Sequence, residues 1–205
     1  MRLFVAGELP GEVRRALGKL QDGFRAAGLR SRWVRPEAIH LTLRFLGETE
    51  LEKIDRLRAA LRESALSSPP LRLRLEGLGT FPSSGPPRAL WVGLVGDLDG
   101  LARLAAEVER DVVSCGWNPE RRPFRPHLTL ARIDSGRAGR ELRRLLASTG
   151  PIAPEGGEVV ENLPVGVAGP ASFLLEELVL FESRLGPGGA QYFSLDRFPL
   201  RGPSS

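Results

Sequence analysis

The chain has 205 residues, 41% of them hydrophobic and 26% charged, with 29 Lys and Arg against 25 Asp and Glu and a formal net charge of +4. That length fits one large domain or two small lobes sharing a core, and the composition excludes a disordered, collagen-like or fibrous chain. No apolar run approaches the ~18 residues of a membrane-spanning helix, and the lone Cys115 excludes an intramolecular disulfide and a cysteine-based zinc site. The opening Met1–Ala6 is followed by Glu8 and Pro10 where a secretory core would continue, so no signal peptide and a cytoplasmic protein are expected. Lys19 and Lys53 are the only lysines, and nearly every cation is therefore an arginine. Guanidinium forks match phosphate oxygens in pairs. A net +4 is too small for strong non-specific nucleic-acid binding but compatible with holding a few phosphates.

Met1–Ala6 reads as a strand. Residues 12–27 place Val13, Ala16, Leu17, Leu20 and Phe24 at helical spacing, bracketed by Pro10 and Gly28. Residues 39–46 alternate as a strand, and 51–66 form a second amphipathic helix. Leu71, Leu73 and Leu75, interleaved with Arg72 and Arg74, predict a half-buried strand, and the Gly-, Pro- and Ser-rich stretch Gly77–Pro87 predicts a loop. Ala89–Val95 is a predicted strand, 98–114 a helix, 127–133 a strand and 138–148 a helix. The Gly/Pro-rich segment 151–172 has no clear assignment. Phe173–Phe181 and Gln191–Leu200 predict strands that pair across Gly186-Pro187-Gly188-Gly189, and 201–205 a loose tail. Without a strict βαβ alternation, the order favours an α+β fold with antiparallel sheets. No dinucleotide fingerprint or phosphate-loop motif occurs.

The chain contains two histidines, and each opens the same tetrapeptide: His40-Leu41-Thr42-Leu43 and His127-Leu128-Thr129-Leu130. With this chain's usage of Leu and Thr, a second His followed by Leu-Thr-Leu has chance odds on the order of one in a thousand. Alternation in a strand turns His and Thr to one face, about 7 Å apart, while the leucines anchor the other. Two such strands, each preceded by a helix-containing segment of similar length, predict two related lobes. If these pack with pseudo-twofold symmetry, two imidazoles and two hydroxyls face one another across a cleft.

At neutral pH one imidazole can act as base while the other acts as acid, which suits displacement at phosphorus. Such a pair predicts two apparent pKa values near neutrality. Thr42 and Thr129 can donate hydrogen bonds to the non-bridging oxygens. A zinc site is a rival reading, but it needs three protein ligands or more and only two histidines are at hand, with no acid near His127 on its strand face. A serine or cysteine nucleophile is a further rival, without the expected elbow motif. Arg44 shares strand parity with His40 and Thr42 and is a candidate phosphate ligand. Arg132 closes the second segment with the wrong parity unless the strand bulges there. Arg121, Arg122 and Arg125 add cations ahead of His127, and Trp33, Phe45 and Phe81 are candidates for stacking on a base.

These residues resemble the 2H phosphoesterase superfamily and its RNA 2′,3′-cyclic phosphodiesterase (2′-5′ RNA ligase) family. The supporting stretches are His40–Glu48, Phe81-Pro82, Pro87–Gly93, Arg122–Arg132 and Leu178–Leu185, and the likeness spans about residues 1–200. The resemblance implies a single bilobal catalytic domain over 1–205: two pseudo-twofold-related lobes, each an antiparallel sheet flanked by helices, with the active cleft between them. It implies hydrolysis of a 2′,3′-cyclic phosphate on RNA or a nucleotide to a 2′-phosphomonoester, by a monomer, without cofactor or metal. It assigns His40 as proton donor, His127 as proton acceptor, Thr42 and Thr129 as phosphate ligands, and Arg132 to the phosphate's vicinity. Formation of 2′-5′ linkages in the same cleft, or RNA-phosphate binding without turnover, are the alternative readings.

Overall fold

Two strand–helix–strand units set the architecture. In the first, β1 (Arg2–Gly7) runs through α1 (Gly11–Ala26) and the short β2 (Arg32–Trp33) to β3 (Leu41–Glu48). In the second, β5 (Ala89–Gly96) runs through α3 (Leu98–Ser114) to β6 (His127–Arg132). Between them lie α2 (Ile54–Ser67) and β4 (Leu71–Phe81). After them come α4 (Gly136–Ala147), β7 (Ile152–Ala153), β8 (Val159–Val160), β9 (Phe173–Leu175), β10 (Glu177–Gly186) and β11 (Gly189–Pro199). The structure is a computed structural model, and it describes residues 1–147, 152–153, 159–160, 172–186 and 189–202.

Every strand pairing is antiparallel. One sheet has the order β11-β10-β1-β3, the other β2-β6-β5-β4-β9, and β7 pairs with β8. The correspondence is direct. β1 lies between β10 and β3 as β5 lies between β4 and β6, and a helix links the inner strand to the motif-bearing strand in each case. The α+β class and the two related lobes expected from the sequence are both present.

The helices follow their apolar spacing. α1 buries Val13, Leu17, Leu20 and Phe24, and α3 buries Leu101, Leu104, Val108 and Val112. Asp97 starts α3 by accepting the Gly100 amide at 2.9 Å, and Gly28, at φ 92°, ends the turn after α1. The buried faces merge into one core that reaches both lobes, from Val13 and Leu57 to Leu128 and Leu142. On β1, alternation sends Leu3 and Val5 into this core. Phe4 and Ala6 go to the opposite face, where they meet Val179 and Phe181 of β10 and Tyr192 of β11.

Four sequence expectations change. The predicted loop from Gly77 is strand up to Phe81, because its glycines serve close packing rather than a turn. Gly77, at φ 73°, makes a bulge opposite β5, and a Cβ on Gly79 would stand 2.1 Å from the Trp91 ring. The second helix opens with a 3-10 turn, Leu51–Lys53. The tail begins tied down: the Arg201 and Gly202 amides donate to the carbonyls of Ala65 and Ser68 at 3.1 and 2.9 Å. Most of segment 151–172, and residues 203–205, lie outside the described residues. The strand expected over Phe173–Phe181 divides at Glu176: β9 pairs with β4 in one sheet, while β10 forms with β11, in the other, the hairpin expected across 186–189, with Gly186 opposite Gly189.

Candidate active site

β3 and β6 lie against each other where the two sheets meet. β6 opens on its copy of the repeated tetrapeptide, and β3 begins at the second residue of its copy, directly after His40. In each strand the two leucines are buried in the core, while His and Thr keep partial access to solvent. Ala6 stands opposite Thr42 and Trp91 opposite Thr129, placing both threonines on the faces turned away from the core.

The imidazoles are seated alike. His40 Nδ1 lies 2.8 Å from the Ala38 carbonyl, and His127 Nδ1 lies 2.7 Å from the Arg125 carbonyl, each two residues upstream. A carbonyl only accepts, so both rings carry their proton on Nδ1 and expose a basic Nε2. Among the described residues neither Nε2 nor either threonine hydroxyl has a hydrogen-bond partner. Aromatic rings hold the imidazoles from the sides. Phe4 and Tyr192 lie 4.6 and 5.0 Å from His40, and Phe81 lies edge-on to His127 at 4.9 Å.

This setting favours neutral rings. Burial is the largest influence on both, pulling His40 down to about 4 and His127 below its ordinary 6.5, while the hydrogen bonds to Ala38 and Arg125 oppose the shift. The charge of His127 also lowers His40, as does Arg14. On acidification His127 takes its proton first, and that charge then resists protonation of His40. The influence of His127 on His40 is in keeping with two rings carried where β3 and β6 lie against each other.

The two candidate arginines separate, for one reason. β3 bulges at Leu43 and β6 bulges at Leu130, the last residue of each tetrapeptide. Each bulge reverses the parity of the residues after it. Arg44, expected beside His40 and Thr42, pairs across from Val5 and is turned to the other face. There its Nε pairs with Glu109, and its other nitrogens donate to the Phe45 and Asn118 carbonyls at 2.6 and 2.5 Å. Arg132 pairs across from Ala89, two positions from Trp91, and so joins the face of His127 and Thr129. Its charge lowers the His127 pKa. The residue matching Arg132 on β3 is Phe45, which is 61% exposed, with its ring 5.9 Å from Phe4. Trp33 packs against the core with Arg25 stacked 4.9 Å over it.

One family model, LigT like phosphoesterase, matches the chain twice in succession, over residues 8–91 and 92–192, with one tetrapeptide in each match. The chain belongs to the LigT-like phosphoesterase family. A relative from Thermus thermophilus named RNA 2′,3′-cyclic phosphodiesterase is 34% identical over 212 residues, covering 98% of this chain and 91% of its own. A crystal structure of a Thermus thermophilus protein matches over 100% of both chains with a TM-score of 0.75 and 31% identity. That of E. coli LigT complexed with 3′-AMP matches over 97% of this chain and 96% of its own, with a TM-score of 0.68 and 27% identity.

In this LigT-like phosphoesterase, the Leu130 bulge has a dedicated support that no sequence motif announces. Gln21 of α1 is fully buried, and its Nε2 donates to the carbonyls of Val34 and Leu130 at 2.6 and 3.0 Å. The Val34 amide donates to the same Leu130 carbonyl at 2.9 Å. Gln21 thus ties helix, connecting segment and bulge together over a sequence separation of 109 residues. Gln21→Leu keeps the volume and removes the donor, at a cost of about 1–3 kcal/mol of stability. It is expected to lower kcat/KM about tenfold by loosening Arg132. Thermal unfolding and steady-state kinetics check both, and unchanged kinetics would show that the bulge needs no such tie.

Proposed function

We propose that this phosphoesterase hydrolyses RNA 2′,3′-cyclic phosphate ends to 2′-phosphomonoesters, without a metal, through acid–base catalysis by His40 and His127. The observation that carries the reading is the matched pair of Nε2 atoms, each set by a backbone carbonyl on Nδ1 and each without a partner among the described residues. His127 Nε2 takes a proton from water as the water oxygen bonds to phosphorus. The P–O3′ bond breaks, and Nε2–H of a protonated His40 delivers its proton to the 3′ oxygen. Proton exchange with solvent then resets both rings. Thr42, Thr129 and Arg132 bind the non-bridging oxygens, where charge accumulates. The name carried by the Thermus relative and the 3′-AMP complex of E. coli LigT support a nucleotide substrate.

Among the described residues no three His, Cys, Asp or Glu side chains gather as a metal site would require. Two lobes of one chain supply every group named, so the reading needs no second copy. Among the described residues no helix is long and apolar enough to cross a membrane.

The test is turnover of adenosine 2′,3′-cyclic phosphate with and without EDTA. A 2′-phosphate product at a rate indifferent to EDTA is expected. A 3′-phosphate product, or loss of activity in EDTA, overturns the mechanism. An RNA with a cyclic end that grows longer on a gel would indicate joining instead. The pH profile gives a sharper reading. Burial lowers both imidazoles, so the donor must be protonated and the base neutral against their ordinary order in the free enzyme. The kcat/KM profile, which reports the free enzyme, is therefore expected to peak between about pH 4 and 6.5 and to fall above it. The sequence alone placed this optimum near neutrality; burial moves it to the acid side. Bound phosphate raises both values, shifting the alkaline limb of kcat upward.

A further inference from the structure

A cavity of about 490 Å³ borders His40, and its lining comes from the first lobe and the segments around it. That volume lies within the range of pockets that hold small organic ligands. Phe181 and Tyr192 lie along it, and the segment from Arg35 to His40 and Arg14 of α1 complete it. None of its lining residues belongs to β4, β5 or β6. It therefore lies to one side of the gap between the imidazoles.

The charges in this cavity are unevenly committed. Arg14 pairs with Glu8 at 2.5 Å through Nη2, but its Nε is buried with no partner. Arg197 is held by Glu8 and Glu177. Arg35 is exposed and has no ion pair among the described residues, and the Tyr192 hydroxyl has no partner among them. Glu8 is covered by two arginines, which leaves the exposed Glu37 as the opposing charge. Aromatic surface beside uncommitted guanidinium donors suits a nucleoside carrying a phosphodiester.

We propose that this cavity is a subsite for the nucleotide that precedes the cyclic end. Arg35 donates to the phosphodiester linking the two nucleotides, the Arg14 side chain adds its charge beside it, and Phe181 and Tyr192 line the place of the preceding nucleoside. The enzyme then acts on oligonucleotide ends in preference to mononucleotides. The placement rests on the acid–base reading of His40 and His127, which locates the reacting phosphate.

The test compares adenosine 2′,3′-cyclic phosphate with the adenylyl dinucleotide bearing the same end. Wild type is expected to favour the dinucleotide about tenfold in kcat/KM, less so as salt rises. Arg35→Gln is expected to cut that ratio several-fold, and Glu37→Gln to raise it. Equal kcat/KM on both substrates in wild type, or an Arg35→Gln loss shared equally by both, overturns the proposal. The second result would mean that the terminal nucleotide itself fills the cavity. Calorimetry with adenosine 2′-phosphate and its dinucleotide counterpart decides the matter independently of turnover. About tenfold tighter dinucleotide binding that Arg35→Gln abolishes upholds the subsite even if neither cyclic substrate is hydrolysed, a result that would sink the proposed hydrolysis alone. Equal dissociation constants sink the subsite even if hydrolysis is confirmed.

Discussion

Replacing His127 with alanine is expected to lower kcat/KM on a 2′,3′-cyclic nucleotide by about 10²–10⁴, and His40→Ala by a similar factor. Without the Nε2 base at 127, the attacking water must lose its proton to solvent. Without the acid at 40, the 3′ oxygen must leave as an alkoxide. In the proposed mechanism the two groups act in one displacement, so the double variant is expected to be scarcely slower than the worse single one. The single variants also differ in shape. His40→Ala empties a site packed between Phe4 and Tyr192, whereas His127 is flanked edge-on by Phe81. Asparagine at position 40 is the better probe of chemistry, because it retains a polar group near the Ala38 carbonyl. Full activity in either single variant, measured on folded protein, would end the assignment.

Arg132→Ala is expected to cost about 10² in kcat/KM, while Arg44→Ala leaves kcat/KM per folded molecule close to wild type. The contrast comes from the paired bulges. Arg132 stands on the His127 face, and its guanidinium has no carboxylate partner among the described residues, so it is available to the charge that builds on the phosphoryl oxygens. Arg44 is buried, tied to Glu109 and two carbonyls. Removing it strands the partly buried Glu109 carboxylate and two acceptors, at about 1–3 kcal/mol of stability. Kinetics and thermal unfolding on both variants separate these roles. A catalytic defect in Arg44→Ala with unaltered unfolding would contradict the assignment, as would full activity in Arg132→Ala.

The repeated tetrapeptide made the candidate site legible before any coordinates. His-x-Thr on a strand needs only period-two geometry to put both side chains on one face, and leucines at the intervening positions say which face is core. The helices were equally readable, since 98–114 carries an apolar stripe at helical spacing. Glycines misled where their role was steric. Gly77 and Gly79 look like a loop, yet one is a bulge and the other makes room for the Trp91 ring.

Local sequence determined which strands carry the imidazoles, that the chain is built twice over, and that the class is α+β. Those properties depend on neighbours one to four residues apart, so periodicity records them. Tertiary structure decided which arginine shares a face with an imidazole, the direction in which each imidazole is driven from its ordinary pKa, and that Gln21 is tied to the second strand. These depend on contacts across up to 109 residues and on one extra residue in a ladder at Leu43 and Leu130, neither of which leaves a trace in local spacing.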